Sequence, residues 1–418
     1  MIVNIATVPQ YDKMSGMKGF VLRIVAAFVS AAAAVIRFFV SQKDEILLIS
    51  CQSDEPSLDI LDLAAAIEEN QATVNVMAGR VDRSVGGAFS FIGRLFSMLK
   101  KIAAAKVVVL DAYCPAVSIP KKRADKKVVQ IWHAPDAIKK FSLQIADTPA
   151  GYDSLTIKIL KMHKNYDFIL CPAEATLPFF EAAFGYPESA FVKYGLPSLD
   201  RLGNIKPCLA MQEKYPELAM TGESAGSEHP LTVVYAPTFR DGTEIDTAGL
   251  ITALEKAMPG LIIVLKLHPL DAFKNAMSSA NTDGVLDKDE SCVIVDSSFP
   301  LIDWYSVADI IVTDYSGAAI EAAAAGVASY YYIYDFDEYN KRRGLNIDLR
   351  DEAVGKYAFK DAANLAEQMA RDFAYGSDVG YDFGALSKFK DKYLEVPLTG
   401  NTQKLASFVC GLSFGAPL

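Results

Sequence analysis

The chain has four histidines, and two stand where working residues are presented: His133 in QIWHAPDAIKKF and His268 in LKLHP. Each closes an apolar, strand-like run, and Pro269 stops the second element at once. An imidazole titrates near neutrality, so each can serve as a general base or as a cation beside developing negative charge. A buried, hydrogen-bonded histidine is the plainer alternative, and it is the matched placement, one in each half, that favours chemistry. His163 lies among lysines and is expected on a surface helix, and His229, in an irregular stretch, is expected to be incidental. Thr238, Arg240 and Asp241 follow LTVVYAP. A guanidinium offers a planar fork to phosphate; a surface ion pair with Asp241 is the alternative. In ADIIVTDYSGAAIEAAAAG a strand ends at Thr313–Asp314, Ser316 and Gly317 make a small-residue turn, and an alanine-rich helix begins. Backbone amides at such a helix start favour a phosphate. Glu321, further along that helix, can accept from a hydroxyl-rich ligand or be a satisfied core carboxylate. The segment is neither G-x-x-x-x-G-K-[ST] nor G-x-G-x-x-G, and H-E-x-x-H is absent, so P-loop NTPases, NAD dehydrogenases and zinc proteases lack support.

These residues need strands whose carboxyl ends converge. EILLIS, ATVNVMA, AKVVVLDAY, KKVVQIWH and DFILCP are short apolar runs bounded by polar residues, separated by helical periods such as LDILDLAAAIEEN. The alternation restarts with LTVVYAPT, GLIIVLKLHP, SCVIVD, ADIIVTDYS and ASYYYIYD. Strands separated by helices imply parallel sheets covered on both faces, with ligands at the strand carboxyl ends. The expected class is α/β, with two Rossmann-like, doubly wound domains facing a central cleft. The expected boundaries are residues 1–203 for the first domain and 204–230 for a Gly-, Pro- and Ser-rich linker. The second domain follows over 231–385, then a helical tail over 386–418 that could pack back on the first.

The 418 residues are 51% hydrophobic and 22% charged, ordinary for two globular domains, and the net charge of −10 argues against nucleic acid as a partner. Six scattered cysteines without a C-x-x-C pair argue against a zinc ribbon, an iron–sulfur cluster or a disulfide framework, and fit a reducing cytosol. Cations nevertheless gather in the first half. Arg94, Lys100, Lys101 and Lys106 lie in or beside an apolar stretch; Lys121, Lys122, Arg123, Lys126 and Lys127 form a run; Lys158, Lys161 and Lys164 recur every third residue. Each cluster alone reads as solvated surface, but several on one domain of an acidic protein favour an anionic partner, a lipid surface or a polyphosphate. Residues 19–40, GFVLRIVAAFVSAAAAVIRFFV, are close to span length, with Arg23, Ser30 and Arg37 spaced by sevens along one face. A helix lying in a membrane interface fits that polar stripe; a buried core helix, a span or a signal segment are the alternatives.

Taken in order, Q-x-W-H with A-I-K-K-F, Y-G-L-P-S-L-D, Y-A-P-T-F-R-D, L-K-L-H-P, T-D-Y-S-G and Y-D-F-D-E-Y-N-K-R-R-G resemble the CDP-glycerol glycerophosphotransferase family, over about residues 45–350. The resemblance implies a glycosyltransferase-B-like architecture and transfer of glycerol phosphate from CDP-glycerol to an undecaprenyl-diphosphate-linked saccharide acceptor. CMP is released, in the synthesis of teichoic acid or a related bacterial cell-wall polymer. It also implies a peripheral place on the cytoplasmic face of the membrane, against an anionic lipid surface. His133 and His268 match the family's two histidines and are the implied catalytic pair. Thr238, Arg240, Lys266, Thr313, Asp314, Ser316, Gly317 and Glu321 are assigned to the donor. Lys139, Lys121, Lys122, Arg123, Arg94, Lys100 and Lys101 are assigned to the acceptor and membrane side. No cofactor is implied, apart from a divalent cation loosely held on the diphosphate. The segment after Trp132 reads H-A-P-D-A-I-K rather than H-G-T-P-L-K, closer to short priming members; Gly317 replaces a serine and Ser198 an arginine. CDP-ribitol as donor, a nucleotide-sugar glycosyltransferase of the same fold and a non-catalytic membrane-docked binder are the rival readings.

Overall fold

The computed structural model describes residues 8–52, 54–79, 87–221, 230–240, 245–267, 284–288, 291–373 and 380–414. Short β-branched runs build a first sheet from β1 (Glu45–Ser50), β2 (Thr73–Ala78), β3 (Val107–Leu110), β4 (Lys127–Gln130), β5 (Phe168–Leu170) and β6 (Phe191–Val192). Their order is β2-β1-β3-β4-β5-β6, with every pairing parallel. Side chains alternate between faces along a strand, so one sheet serves two cores. Leu47, Ile49, Val108 and Leu110 pack with Val29, Ala33, Leu95 and Leu99 on one face. Ile46, Leu48, Val107 and Val109 pack with Ile60, Leu63, Leu405 and Val409 on the other. The helices Val8–Phe39 and Gly87–Ala104 therefore cover the first face, and Leu58–Glu69 and Asn401–Phe414 the second.

The second sheet contains β7 (Thr232–Tyr235), β8 (Ile262–Leu265), β9 (Gly284–Lys288), β10 (Ser291–Val295), β11 (Ile310–Thr313), β12 (Ala328–Tyr332) and β13 (Ala358–Phe359). The order is β13-β12-β11-β7-β8-β10-β9, parallel except for β9 against β10. In each sheet the chain reverses its direction of build-up once, between β1 and β3 and between β7 and β11. Such reversals open a crevice at the strand carboxyl ends.

Three expectations change, and one alternative falls away. The segment expected as a linker carries the helix Leu209–Lys214, and Met211, Tyr215 and Leu218 are buried in the core of the second half. The expected boundary after residue 385 cuts the helix Phe383–Tyr393, whose Leu386 and Phe389 belong to that same core. His163 is buried, not on the surface: the helix Ser154–Ile159 ends before it, and left-handed backbone at Lys161, His163 and Asn165 folds it inward. Finally, the N-terminal helix is no buried core helix. Phe20, Phe38 and Phe39 are 63%, 84% and 78% exposed, and only 22% of its most apolar window is covered. Among the described residues, Met17–Phe39 is the one segment long and apolar enough to cross a membrane by length and composition.

Candidate functional site

The crevice of the first half is organised around Asp111, one residue past β3. Its carboxylate accepts from the hydroxyls of Ser50 at 2.6 Å and Ser57 at 3.1 Å, and from the Cys51 amide at 3.0 Å. Ser57 also caps the helix Leu58–Glu69, so one serine ties helix start to strand end. The Asp111 carbonyl oxygen lies 3.1 Å from His133 Nδ1. A carbonyl only accepts, so Nδ1 carries the proton and the neutral ring keeps Nε2 as a free base. His133 is open to solvent, yet protein encloses it on most sides. That desolvation pulls its pKa below the ordinary value, against the Asp111 carbonyl bond and the charges of Asp111 and Asp136; Lys139 pushes the same way as burial. Before it, Trp132 is left-handed at φ 62° with its amide donating to Gln130 Oε1 at 2.9 Å. Backbone strain of this kind costs about 1–3 kcal/mol and persists where the surroundings over-determine it.

In the second crevice, Arg240 is not a free phosphate fork. It reaches Asp335 from Nε at 2.7 Å and from Nη2 at 3.0 Å, Asp314 from Nη2 at 2.8 Å and the Thr238 carbonyl from Nη1 at 2.9 Å. Its guanidinium carbon lies over Tyr339, 4.6 Å from the ring centre. Burial alone would lower its pKa, but Asp314 and Asp335 hold the guanidinium firmly charged. Asp314 also accepts from the Thr238 amide at 2.9 Å, and the Thr313 hydroxyl donates to the Ala236 carbonyl at 2.7 Å. Arg240, Thr313 and Asp314 thus brace the ends of β7 and β11. The Thr238 hydroxyl is different: it is buried and has no hydrogen-bond partner among the described residues.

The two crevices meet. The Ser316 hydroxyl accepts from the Ala318 amide at 3.3 Å, opening the helix Ala318–Ala325. A Cβ at Gly317 would collide with the Asp136 carboxylate, so the loop after His133 lies directly against this helix start. Glu321 accepts from the Tyr305 hydroxyl at 3.1 Å; burial, then the Asp136 charge, pushes its pKa up to about 7. Lys139, expected on the acceptor and membrane side, sits among Asp136, Asp314, Arg240 and Arg343, and burial lowers its pKa. A short antiparallel clip joins the halves behind it. Lys140 N donates to Gly344 O and Asn346 N to Ile138 O, while the Asn346 amide group bonds the carbonyls of Ala137 and Lys139 and the Gln144 side chain. Gly344 is left-handed there, and a Cβ would press on Lys140.

The remaining predicted residues fall elsewhere. Lys266 pairs with buried Asp296 at 3.5 Å. Arg94 pairs with Asp54, Lys122 with Asp167 and Arg123 with Asp125. Arg37 donates to the Lys121 carbonyl, and Lys100 and Lys101 line a groove with Phe39, so these cations surround the end of the N-terminal helix. Lys126, counted with the surface run, is buried and donates to the Ile102 and Ala105 carbonyls; burial lowers its pKa to about 8. His229, Asp241 and His268 lie outside the described residues. A G-x-S-x-G spacing occurs twice in the sequence: the one at 222–226 lies outside the described residues, and the serine of the one at 411–415, Ser413, is buried on the helix Asn401–Phe414 rather than on the strand-to-helix turn that presents a serine nucleophile. Among the described residues, no group of three His, Cys, Asp or Glu side chains converges as metal ligands. Sequence reading missed Asp111, Asp136, Asp335 and Asn346. Asp111 had a signal, an acid closing an apolar strand just as Asp314 does.

The family model for CDP-Glycerol:Poly(glycerophosphate) glycerophosphotransferase matches residues 31–411. The chain is 26% identical over 407 residues to a teichoic acid ribitol-phosphate primase of Bacillus spizizenii, covering 94% of this chain and 98% of that one. It is 24% identical over 310 residues to a teichoic acid glycerol-phosphate primase of Bacillus subtilis, covering 73% of each. The solved wall teichoic acid polymerase TagF superposes with a TM-score of 0.63 at 16% identity, over 98% of this chain and 99% of that one. A Staphylococcus aureus MnaA–UDP structure superposes with a TM-score of 0.54 at 10% identity, over 89% of this chain and 97% of that one. At these identities the structures speak for the fold.

Proposed function

This chain belongs to the CDP-glycerol:poly(glycerophosphate) glycerophosphotransferase family, and from that premise we propose that it is a priming-type enzyme that moves an alditol phosphate from a CDP-alditol to a lipid-linked acceptor, releasing CMP. The observation that carries the chemistry is His133, whose Nδ1 is tied to the Asp111 carbonyl at 3.1 Å and whose Nε2 is thereby the basic atom. The acceptor hydroxyl attacks the alditol-bearing phosphorus and gives its proton to Nε2. The new P–O bond forms as the bond to CMP breaks, and CMP leaves with the electron pair. A lowered pKa keeps His133 neutral and competent near pH 7. Negative charge grows on the phosphates, where positioning and electrostatics do most of the work. Among the described residues, the start of the helix Ala318–Ala325, the Thr238 hydroxyl, which has no partner there, and Lys139 are the groups placed to meet it.

Two halves closing on one cleft is the glycosyltransferase-B arrangement, and we read the fold so. The donor is CDP-glycerol or CDP-ribitol; the near full-length similarity to a ribitol-phosphate primase favours the second. We also assign the N-terminal helix to the membrane, on its cytoplasmic face. Phe20, Ile24, Phe28, Val35, Phe38 and Phe39 form an exposed apolar face, with Arg37, Lys100, Lys101 and Lys121 around its end, the composition that seats a helix in an anionic interface. The test is CMP release from each CDP-alditol with a lipid-linked disaccharide and with its primed form. Turnover with one donor identifies it, and UDP release from UDP-sugars instead would move the protein to the glycosyltransferases.

A further inference from the structure

Trp132 belongs to none of the groups assigned so far, yet it is held on several sides. Its backbone is left-handed, a conformation bulky residues avoid. Its amide is held by Gln130 Oε1 at 2.9 Å, and Gln130 is fully buried, its Nε2 donating to the Ala112 carbonyl at 3.1 Å. The indole lies against His133 at a tilt of 35°, with ring centres 4.1 Å apart, and against Phe141 at a tilt of 32°, 5.3 Å away. Phe184 meets it edge-on at 5.3 Å and His163 at 6.4 Å.

We propose that Trp132 is a positioning residue for the reaction: wedged among Phe141, Phe184 and His163, it fixes the plane of the His133 ring so that Nε2 has one direction to point. Two constraints are needed to orient an imidazole. The Asp111 carbonyl fixes rotation about one edge by holding Nδ1, and the indole supplies the wall that fixes the face. The strained backbone is what carries the indole to that wall. The inference rests on the reading of His133 as the base, but its geometry can be tested without any substrate.

The chain has two tryptophans, and Trp304 is buried in the second half, so Trp304→Phe leaves Trp132 as the only indole reporter. An imidazolium in contact quenches indole emission more strongly than a neutral imidazole. The groups facing this pair are Asp111 from the end of β3, Asp136 and Lys139 from the same loop, and His163 beyond the indole. Burial pushes the pKa of His163 down to about 4, and the His163→Gln control separates its titration from that of His133. Emission of the Trp304→Phe protein should fall with decreasing pH through one step, with a midpoint below the ordinary histidine value of 6.5. Adding His133→Gln should abolish the step, and adding His163→Gln should leave it. A step that survives His133→Gln, or no step at all, overturns the contact. In CMP-release assays, Trp132→Leu should lower kcat by about 10²-fold, as expected for a misplaced catalytic group. KM for the donor should stay unchanged, and the acid limb of the pH–kcat profile should move toward higher pH as the ring is rehydrated. Trp132→Phe should restore most of the rate. Loss of rate with an unmoved acid limb, or equal loss in Phe and Leu variants, overturns the positioning role. A normal fluorescence step in a protein that releases no CMP would refute the proposed reaction and leave the contact standing.

Discussion

Arg240 separates a scaffolding account from a ligand-binding one. Replacing it by methionine keeps much of the stem and removes the charge between Asp314 and Asp335, whose side chains are 1% and 9% exposed. Removing one partner of a buried ionic cluster costs about 3–5 kcal/mol, because the remaining charge has lost its counter-ion. For a unit of about 150–250 residues each kcal/mol moves Tm by roughly 2–4 °C, so Arg240→Met should lower Tm by roughly 6–20 °C. The pH sense follows from the same cluster. Without the guanidinium, the two carboxylates repel and one binds a proton more tightly in the folded state than in the unfolded one. The penalty should therefore be smaller at pH 5 than at pH 8. Adding Asp335→Asn should recover part of the loss, which a double-mutant cycle reads directly. The assay is thermal unfolding at the two pH values beside CMP release. A Tm within about 1–2 °C of wild type, the range of ordinary surface changes, together with a raised KM for the donor, would refute the scaffolding argument and return Arg240 to the phosphates.

Three more outcomes are expected. Glu321, with its pKa raised to about 7 from 4.5, binds its proton more tightly when folded. Its contribution is therefore full below about pH 4.5 and lost as pH rises through 7, an effect of about 3 kcal/mol. Glu321→Gln should flatten that dependence and be relatively more stable at pH 8, and parallel urea-unfolding curves for the two proteins would contradict it. Asn346→Ala breaks the clip behind Lys139 and leaves carbonyls of Ala137 and Lys139 short of a donor. It should cost about 1–3 kcal/mol in urea unfolding, and a loss under 0.5 kcal/mol would show the clip to be ornamental. Phe20→Glu or Phe38→Glu should weaken co-sedimentation with anionic vesicles by about tenfold or more, since a buried phenylalanine contributes about 1.5–3 kcal/mol. Unchanged sedimentation would remove that face from the membrane.

The strands were legible because buried parallel strands are continuous apolar runs, and β3, β7, β8 and β11 are such runs. The working ends were legible for the same reason: a polar residue closing an apolar run, as at His133 and Thr313–Asp314, marks where a strand meets the crevice. What was hidden depended on partners distant in sequence. A phosphate fork and a structural arginine look alike until Asp335, ninety-five residues on, closes around Arg240. The three lysines around residues 158–164 imitate a helix face, but the helix stops at Ile159 and the left-handed residues beyond it bury His163. The segment 204–221 looked like part of a linker over 204–230 because its turn residues are dense. Its few apolar side chains, Met211, Tyr215 and Leu218, nonetheless suffice to seat it in the core. Lys139 could not be placed by spacing at all, since its neighbours Asp314 and Arg343 come from the other half.

The central claim is that His133 takes a proton from an acceptor hydroxyl as a CDP-alditol is cleaved. The most direct test is single-turnover CMP release from CDP-ribitol and from CDP-glycerol, with and without the lipid-linked acceptor, by the wild-type protein and by His133→Gln. The account predicts acceptor-dependent release from one donor, slowed by about 10²- to 10⁴-fold in the variant, with donor binding retained. Acceptor-dependent release that proceeds at the wild-type rate without His133 would contradict it.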